Sequence, residues 1–197
     1  MKRLFDILFA LFVLICFLPI GMLLSLWIVF ESRGGVFFSQ NRVGKNGVSF
    51  RLLKFRSMYV NAESSGRITV GSRDARITKV GYYLRRYKLD EFPQFINVLN
   101  GDMSIVGPRP EVQEYVDLYT ESQRKILQVK PGITDLASLA YFHENELLAN
   151  SENPQQTYIK EVLPAKIKLN EEYLKNPSFF NDLSIILKTV AKIFRKK

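Results

Sequence analysis

The sequence predicts an α+β fold that is mostly helical and attached to a membrane at its N-terminus. Three observations predict it. Ile7 to Phe30 is a run of 24 uncharged residues, Asn46-Gly47 is a strong hairpin signal, and apolar residues recur at helical spacing through most of the later chain. At 197 residues the chain is long enough for one domain with a modest core. The expected division is a membrane-inserted segment over 1–32 and a globular domain over 33–197, ending in an amphipathic helix over about 177–197.

The N-terminal run passes the length test for a membrane helix. It is a poor cleavable signal peptide, being too long and lacking a small-residue site after it. A straight helix over this run is roughly 36 Å long against about 30 Å of hydrocarbon. Pro19 lies near its middle, where it removes one backbone hydrogen bond and crowds the preceding turn. If the helix breaks there, the arm from Ile7 to Leu18 reaches only about 18 Å, too short to cross. Lys2 and Arg3 precede the run and Arg33 follows it, so both flanks are basic. Basic flanks stay on the cytoplasmic side, which suits a re-entrant helix-break-helix. On these residues a kinked spanning helix stays equally open.

The next stretch predicts a small β-hairpin. Val36 to Arg42 and Val48 to Phe55 are rich in Val and Phe, and Gly44-Lys45-Asn46-Gly47 separates them. The second strand carries Arg51, Lys54 and Arg56; a solvated edge strand would show the same lysine and arginine pattern. Asn61 to Gly71 reads as a polar loop. The net charge is +9 and unevenly spread: from Arg33 to Lys88 there are 13 Lys or Arg against two acids, Glu63 and Asp74. Such a patch suits phosphates, whether of nucleic acid, lipid headgroups or a diphosphate substrate, although a merely solvated basic face has the same composition.

One cysteine, Cys16, and one histidine, His143, leave no disulfide framework and nearly exclude a His/Cys zinc site. Cys16 lies in the apolar run, which also removes a Cys-His pair. Chemistry must therefore rest on carboxylates, basic groups and a hard cation.

The carboxylates that stand out are Asp90 and Glu91, in Lys88-Leu89-Asp90-Glu91-Phe92-Pro93-Gln94. Helical spacing continues through Phe95, Ile96 and Leu99, and Pro93 is tolerated only near a helix start. That places both acids in a first turn, facing free amides and the positive end of the dipole, which favours an ionised Asp90. Adjacent residues on a helix point about 100° apart, so the two have different tasks rather than one shared proton. Alone, an Asp-Glu pair reads first as a helix cap in water. The following Gly107-Pro108-Arg109-Pro110 adds an arginine on a backbone with little freedom, suited to aiming a guanidinium at a phosphate, or else an ordinary surface arginine on a rigid loop.

Glu111 to Val129 reads as a helix started by Pro110, and Lys130-Pro131-Gly132-Ile133-Thr134 as a turn. From Pro177 onward, Phe179, Phe180, Leu183, Ile186, Leu187, Val190, Ile193 and Phe194 form one apolar face, with Lys188, Lys192, Arg195, Lys196 and Lys197 opposite or trailing. That pattern suits an anionic membrane surface, and a core-packing helix shares it.

The run from Lys88 to Pro110, together with Phe50-Arg51-Leu52-Leu53-Lys54-Phe55-Arg56-Ser57-Met58, resembles the bacterial sugar transferases, the monotopic phosphoglycosyl transferases. The resemblance covers essentially the whole chain and matches a minimal member. It implies a re-entrant N-terminal segment at the bacterial inner membrane and a catalytic domain on the cytoplasmic face. It implies transfer of a phospho-sugar from a UDP-sugar to a polyprenol (undecaprenyl) phosphate through an aspartyl intermediate, with UMP released. Asp90 is then the nucleophile and Glu91 assists the acceptor, either of the two binds Mg²⁺, and Arg109, Lys54, Arg56 and Arg85 hold phosphate. The implied partners are the UDP-sugar, the polyprenol phosphate and membrane lipid, with no nucleic acid.

The chain departs from the family pattern at several positions. Leu18 stands where relatives often carry serine before the proline. Asp135-Leu136-Ala137-Ser138 replaces a glycine-led stretch that ends in Gly-Arg, and Asn170 stands where an aspartate is common. The competing class, a membrane-anchored basic protein binding nucleic acid or anionic lipid without catalysis, accounts for charge and anchor but not for the Asp-Glu pair followed by Gly-Pro-Arg-Pro.

Overall fold

The computed structural model describes residues 2–62, 69–71 and 74–195. Most of the expected Asn61–Gly71 loop, and Lys196 and Lys197 of the tail, lie outside the described residues.

Helix α1 (Lys2–Glu31) is about 45 Å long at 1.5 Å per residue. It is long and apolar enough to cross a membrane. The break expected at Pro19 does not divide it, because the backbone is helical through that residue. One missing amide in thirty residues leaves the other bonds in place, and Phe17 stacks on Phe92 with ring centroids 3.7 Å apart.

Both ends of α1 are tied to the rest of the chain. Arg3 donates to the Val98 and Leu99 carbonyls at 2.6 and 3.0 Å, while Asp6 accepts from the Ser104 hydroxyl at 2.8 Å. At the far end Glu31 accepts from the Lys79 and Val80 amides at 2.6 and 2.8 Å. The outward face, including Leu8, Phe12, Ile15 and Phe30, is exposed.

The hairpin forms as expected, from β1 (Phe37–Val43) and β2 (Ser49–Phe55), antiparallel with Phe37 opposite Phe55. Its turn needs left-handed backbone, with φ of 56° at Asn46 and 78° at Gly47, which Asn and Gly tolerate. Helix α2 (Lys79–Arg86) follows, capped by the Thr78 hydroxyl. A single 3₁₀ turn at Leu89–Glu91 then leads into α3 (Gln94–Asn100). Asn97 pins α3 to β2, accepting from the Leu53 amide at 3.0 Å and donating to the Arg51 carbonyl at 2.8 Å.

Strand β3 (Ser104–Val106) pairs in parallel with β4 (Gly132–Thr134). The backbones meet closely beside this pair: a Cβ on Gly132 would sit 2.1 Å from the Gly107 nitrogen. The helix expected over Glu111–Val129 is only α4 (Gln113–Val116) and a 3₁₀ segment, Gln123–Gln128. Its start is extended because the Glu111 carbonyl accepts from the Val43 amide at 2.9 Å. Thr120 and Gln123 then exchange amide–side-chain bonds of a fresh cap, which interrupts the pattern.

Among the described residues five helices follow: α5 (Leu136–Ala140), α6 (Glu144–Ala149), α7 (Pro154–Thr157), α8 (Leu163–Lys175) and α9 (Phe179–Phe194). A π-helical stretch, Tyr158–Val162, joins α7 to α8 just before Pro164, whose missing amide disturbs the α pattern there. Helix α9 buries Ile185 and Ile186 yet leaves Phe180 and Phe194 each 80 % exposed, so one helix packs on the core and presents an apolar face outward. Among the described residues the fold is thus mostly helical with two small sheets.

Candidate active site

The 3₁₀ turn before α3 sets the two adjacent carboxylates in different surroundings. Asp90 is buried, yet among the described residues its Oδ1 has no hydrogen-bond partner. Glu91 is saturated. Arg109 Nη2 lies 2.5 Å from Glu91 Oε1 and Nη1 lies 3.4 Å from Oε2, while Lys54 Nζ approaches Oε1 at 3.3 Å. Burial by itself would raise the Glu91 carboxyl, but the charges of Arg109, Lys54 and Lys88 outweigh it and hold the group well below the usual carboxylate range. Glu91 in turn raises the Arg109 guanidinium above its ordinary value against the opposing effect of burial. Burial lowers the Lys54 ammonium, and Glu91 recovers only part of that loss.

Arg109 is aimed by its loop. The Arg109 amide donates to Asp135 Oδ2 at 3.0 Å, and the other Asp135 oxygen caps α5 at the Ser138 amide. One buried carboxylate therefore fixes the arginine's backbone and starts the next helix together.

Asp90 borders two cavities. One, of about 360 Å³, runs from Asp90 between Phe9 and Val13 of α1 and Val190 of α9. The other, of about 810 Å³, is the more polar of the two and runs past Arg42, Tyr59 and Arg76. Lys54, Arg85, Arg109, Glu144, Asn145 and Lys166 line both. Arg85 is half-buried, and its side chain makes no hydrogen bond or ion pair among the described residues.

The structure thus brings together Asp90, Glu91, Arg109, Lys54 and Arg85. Arg56 also lies on the wall of the second cavity, and its guanidinium is held at the end of α1. Its guanidinium donates to the Ile28, Ser32, Arg33, Gly34 and Gly35 carbonyls and to the Ser32 hydroxyl, closing the C-terminus of α1. Pro19 sits in α1, away from these carboxylates in sequence and absent from the lining of both cavities.

Sequence reasoning missed a second buried charged cluster on the cavity wall. Lys166 pairs with Glu144 at 2.9 Å and Glu111 at 3.6 Å, Arg42 pairs with Glu111 at 3.3 Å, and the Tyr158 hydroxyl donates to Glu111 at 2.6 Å. Burial would raise the Glu111 carboxyl; Lys166 and Arg42 bring it below its ordinary value instead. The signal was a lysine at an apolar helix position, since Lys166 shares a face with Leu163, Ile167 and Asn170. Asn170 is buried, with Oδ1 unpartnered among the described residues.

Among the described residues no group of three His, Cys, Asp or Glu side chains forms a self-sufficient metal cage. Magnesium usually takes only one or two carboxylates plus substrate phosphates. The free Asp90 oxygen fits that pattern; the Glu91 oxygens, already bound to Arg109 and Lys54, do not.

A family model for bacterial sugar transferases matches residues 1–196. The sugar transferase EpsL of Bacillus subtilis, itself uncharacterized, is 38% identical over 193 residues, covering 98% of this chain and 87% of EpsL. The UDP-N-acetylgalactosamine-undecaprenyl-phosphate N-acetylgalactosaminephosphotransferase of Aeromonas hydrophila is 37% identical, over 98% of this chain but only 43% of its own length. The UDP-glucose:undecaprenyl-phosphate glucose-1-phosphate transferase of Escherichia coli is 35% identical, over 100% of this chain and 41% of its own length. The chain spans less than half of these two transferases and most of EpsL. By sequence over its whole length, this chain belongs to the bacterial sugar transferase family.

Proposed function

We propose that the protein transfers a phospho-sugar from a UDP-sugar to a polyprenol phosphate through an Asp90 ester. The observation that carries this reading is the buried, unpartnered Asp90 oxygen bordering two cavities amid Lys54, Arg85 and Arg109. An Asp90 oxygen attacks the β-phosphorus, the bond to the bridging oxygen breaks, and UMP leaves with the electron pair. A polyprenol phosphate oxygen then attacks the same phosphorus, and the Asp90 carboxylate leaves with its electrons restored. Phosphoryl transfer of this kind demands positioning and charge neutralisation above all. Arg109 and Arg85 supply fixed positive charge, with Lys54 beside them. Bound Mg²⁺, held by Asp90 and substrate phosphates, would add charge neutralisation. Glu91 serves here as the anchor that orients Arg109 and Lys54. A carboxylate held so far below neutral is a weak base.

The attachment of α1 supports placing both of its flanks on one side of the membrane. Arg3 and Asp6 near one end and Glu31 at the other bind the same domain, so both flanks belong on one side, the basic cytoplasmic one. A non-catalytic basic anchor protein would leave the Asp90 pocket without a purpose.

Intact-mass measurement with Mg²⁺ and a panel of UDP-sugars, without acceptor, tests the reading. A gain of one phospho-sugar in the wild type, absent from Asp90→Asn, is expected and names the sugar. An adduct on Asp90→Asn, or none on the wild type with any donor, overturns it.

A further inference from the structure

We propose that a third cavity, between α2 and α9, holds the phosphate headgroup of an anionic membrane phospholipid. Its volume is about 1130 Å³, and Asp90 and Glu91 are absent from its lining. The phospholipid is a component of the bilayer and not a substrate, so the site stands or falls independently of the Asp90 chemistry.

The lining gathers cations from two elements. Arg85, Arg86 and Lys88 come from α2 and the link after it, and Lys188, Lys192 and Arg195 from α9 and its C-cap. Among the described residues none of these six forms a salt bridge, and the one carboxylate on the lining, Glu146, lies 3.6 Å from His143. Two ammoniums converge on one ring. Lys88 Nζ stands 5.2 Å from the Phe142 centroid and Lys192 Nζ 5.4 Å. Lys192 also donates to the Leu139 carbonyl at 2.6 Å, which fixes it on the wall. Like charges held together in a recess repel one another, and a bound anion removes that cost.

The surroundings of the recess identify the anion's carrier. Tyr83, the neighbour of Tyr82 on the lining, stacks on Trp27 of α1 at 6.0 Å, and both rings are about half exposed. Tyr and Trp favour the level of lipid headgroups. On α9, Leu187, Val190 and Phe194 are exposed on the face next to that of Lys188, Lys192 and Arg195. A phosphate carrying acyl chains meets the cations with its head and the apolar face with its chains. A free phosphate, a nucleotide or a nucleic acid would leave that face in water. A zwitterionic headgroup would bring its own cation against six others, so the site selects net negative charge. Arg85 and Lys88 also line the smaller cavity at Asp90, so a headgroup here shares two cations with the candidate active site.

Native mass spectrometry of the full-length protein in non-ionic detergent tests the site, with dioctanoyl phosphatidylglycerol and dioctanoyl phosphatidylcholine as probes. Phosphatidylglycerol is expected to bind at least about tenfold more tightly. Lys188→Gln/Arg195→Gln, at two exposed positions on the lining, is expected to lose that preference. Lys160→Gln/Lys168→Gln removes the same charge at exposed positions outside the lining and is expected to keep it. Equal binding of the two lipids overturns the proposal, as does an unchanged preference in Lys188→Gln/Arg195→Gln. Equal loss in both double variants overturns it too, because the attraction then belongs to the whole basic surface. Displacement of phosphatidylglycerol by inorganic phosphate or a short oligonucleotide at matching concentration would assign the recess to a soluble phosphate instead.

Discussion

The Arg109 guanidinium grips Glu91 from 18 residues away, Nη2 at 2.5 Å and Nη1 at 3.4 Å, while Oδ1 of neighbouring Asp90 has no hydrogen-bond partner among the described residues. Of two adjacent carboxylates, one is neutralised by fixed cations and the other faces open space. The environment, and not the residue type, separates their tasks.

Glu91→Gln removes the carboxylate that Arg109 and Lys54 share. The Arg109 side chain is 30% exposed and that of Glu91 13%, so the loss falls below that of a fully buried pair, at about 2 kcal/mol. Thermal unfolding is expected to drop by roughly 4–8 °C. Turnover should fall further than stability does, because both cations lose their aim. An unchanged melting temperature with full turnover would remove Glu91 from the site.

Arg56→Ala separates a structural arginine from a binding one. Six acceptors at the end of α1 lose their donor, and a buried guanidinium bonded this way contributes about 3 kcal/mol or more. Arg109→Ala is expected instead to raise the UDP-sugar KM strongly with a smaller change in melting temperature. The opposite pattern in the two variants would reverse these assignments.

The pH dependence of donor binding reports on Lys54. Burial pushes its ammonium below the ordinary 10.5, so the alkaline loss of binding begins below the pH of a free lysine. Lys54→Arg, which stays charged, should move that limb upward. Glu91 is depressed from 4.5, so its ion pair is complete above that value and is lost only as pH falls through the lower folded value. The UDP-sugar KM should therefore show no Glu91 titration from pH 5 upward. A limb at pH 5–6 that vanishes in Glu91→Gln would contradict this.

Gly132→Ala tests the crossing that carries the Arg109 loop. The new Cβ would meet the Gly107 nitrogen at 2.1 Å, backbone against backbone, with no side chain to yield. A loss exceeding about 3 kcal/mol, or no folded protein, is expected. Gly35→Ala meets its nearest atom at 3.7 Å and should change stability by under about 1 kcal/mol. Similar unfolding curves for the two variants would show that the crossing gives way.

The sequence by itself determined what depends on neighbouring residues: the long apolar helix, the Asn46-Gly47 hairpin, the acidic turn at Asp90-Glu91 and the amphipathic α9. Each rests on propensity, turn chemistry or periodicity within a few residues. Tertiary structure decided the rest, because those outcomes depend on partners far along the chain. The Arg56 guanidinium reached the carbonyls ending α1, and the helix expected after Pro110 yielded its start to the Val43 amide. Lys166 found Glu111 and Tyr158 from another element, and both ends of α1 found the same domain. A charged side chain announces itself in sequence. Whether it meets a substrate or a backbone carbonyl is set only when packing decides which groups lose their water.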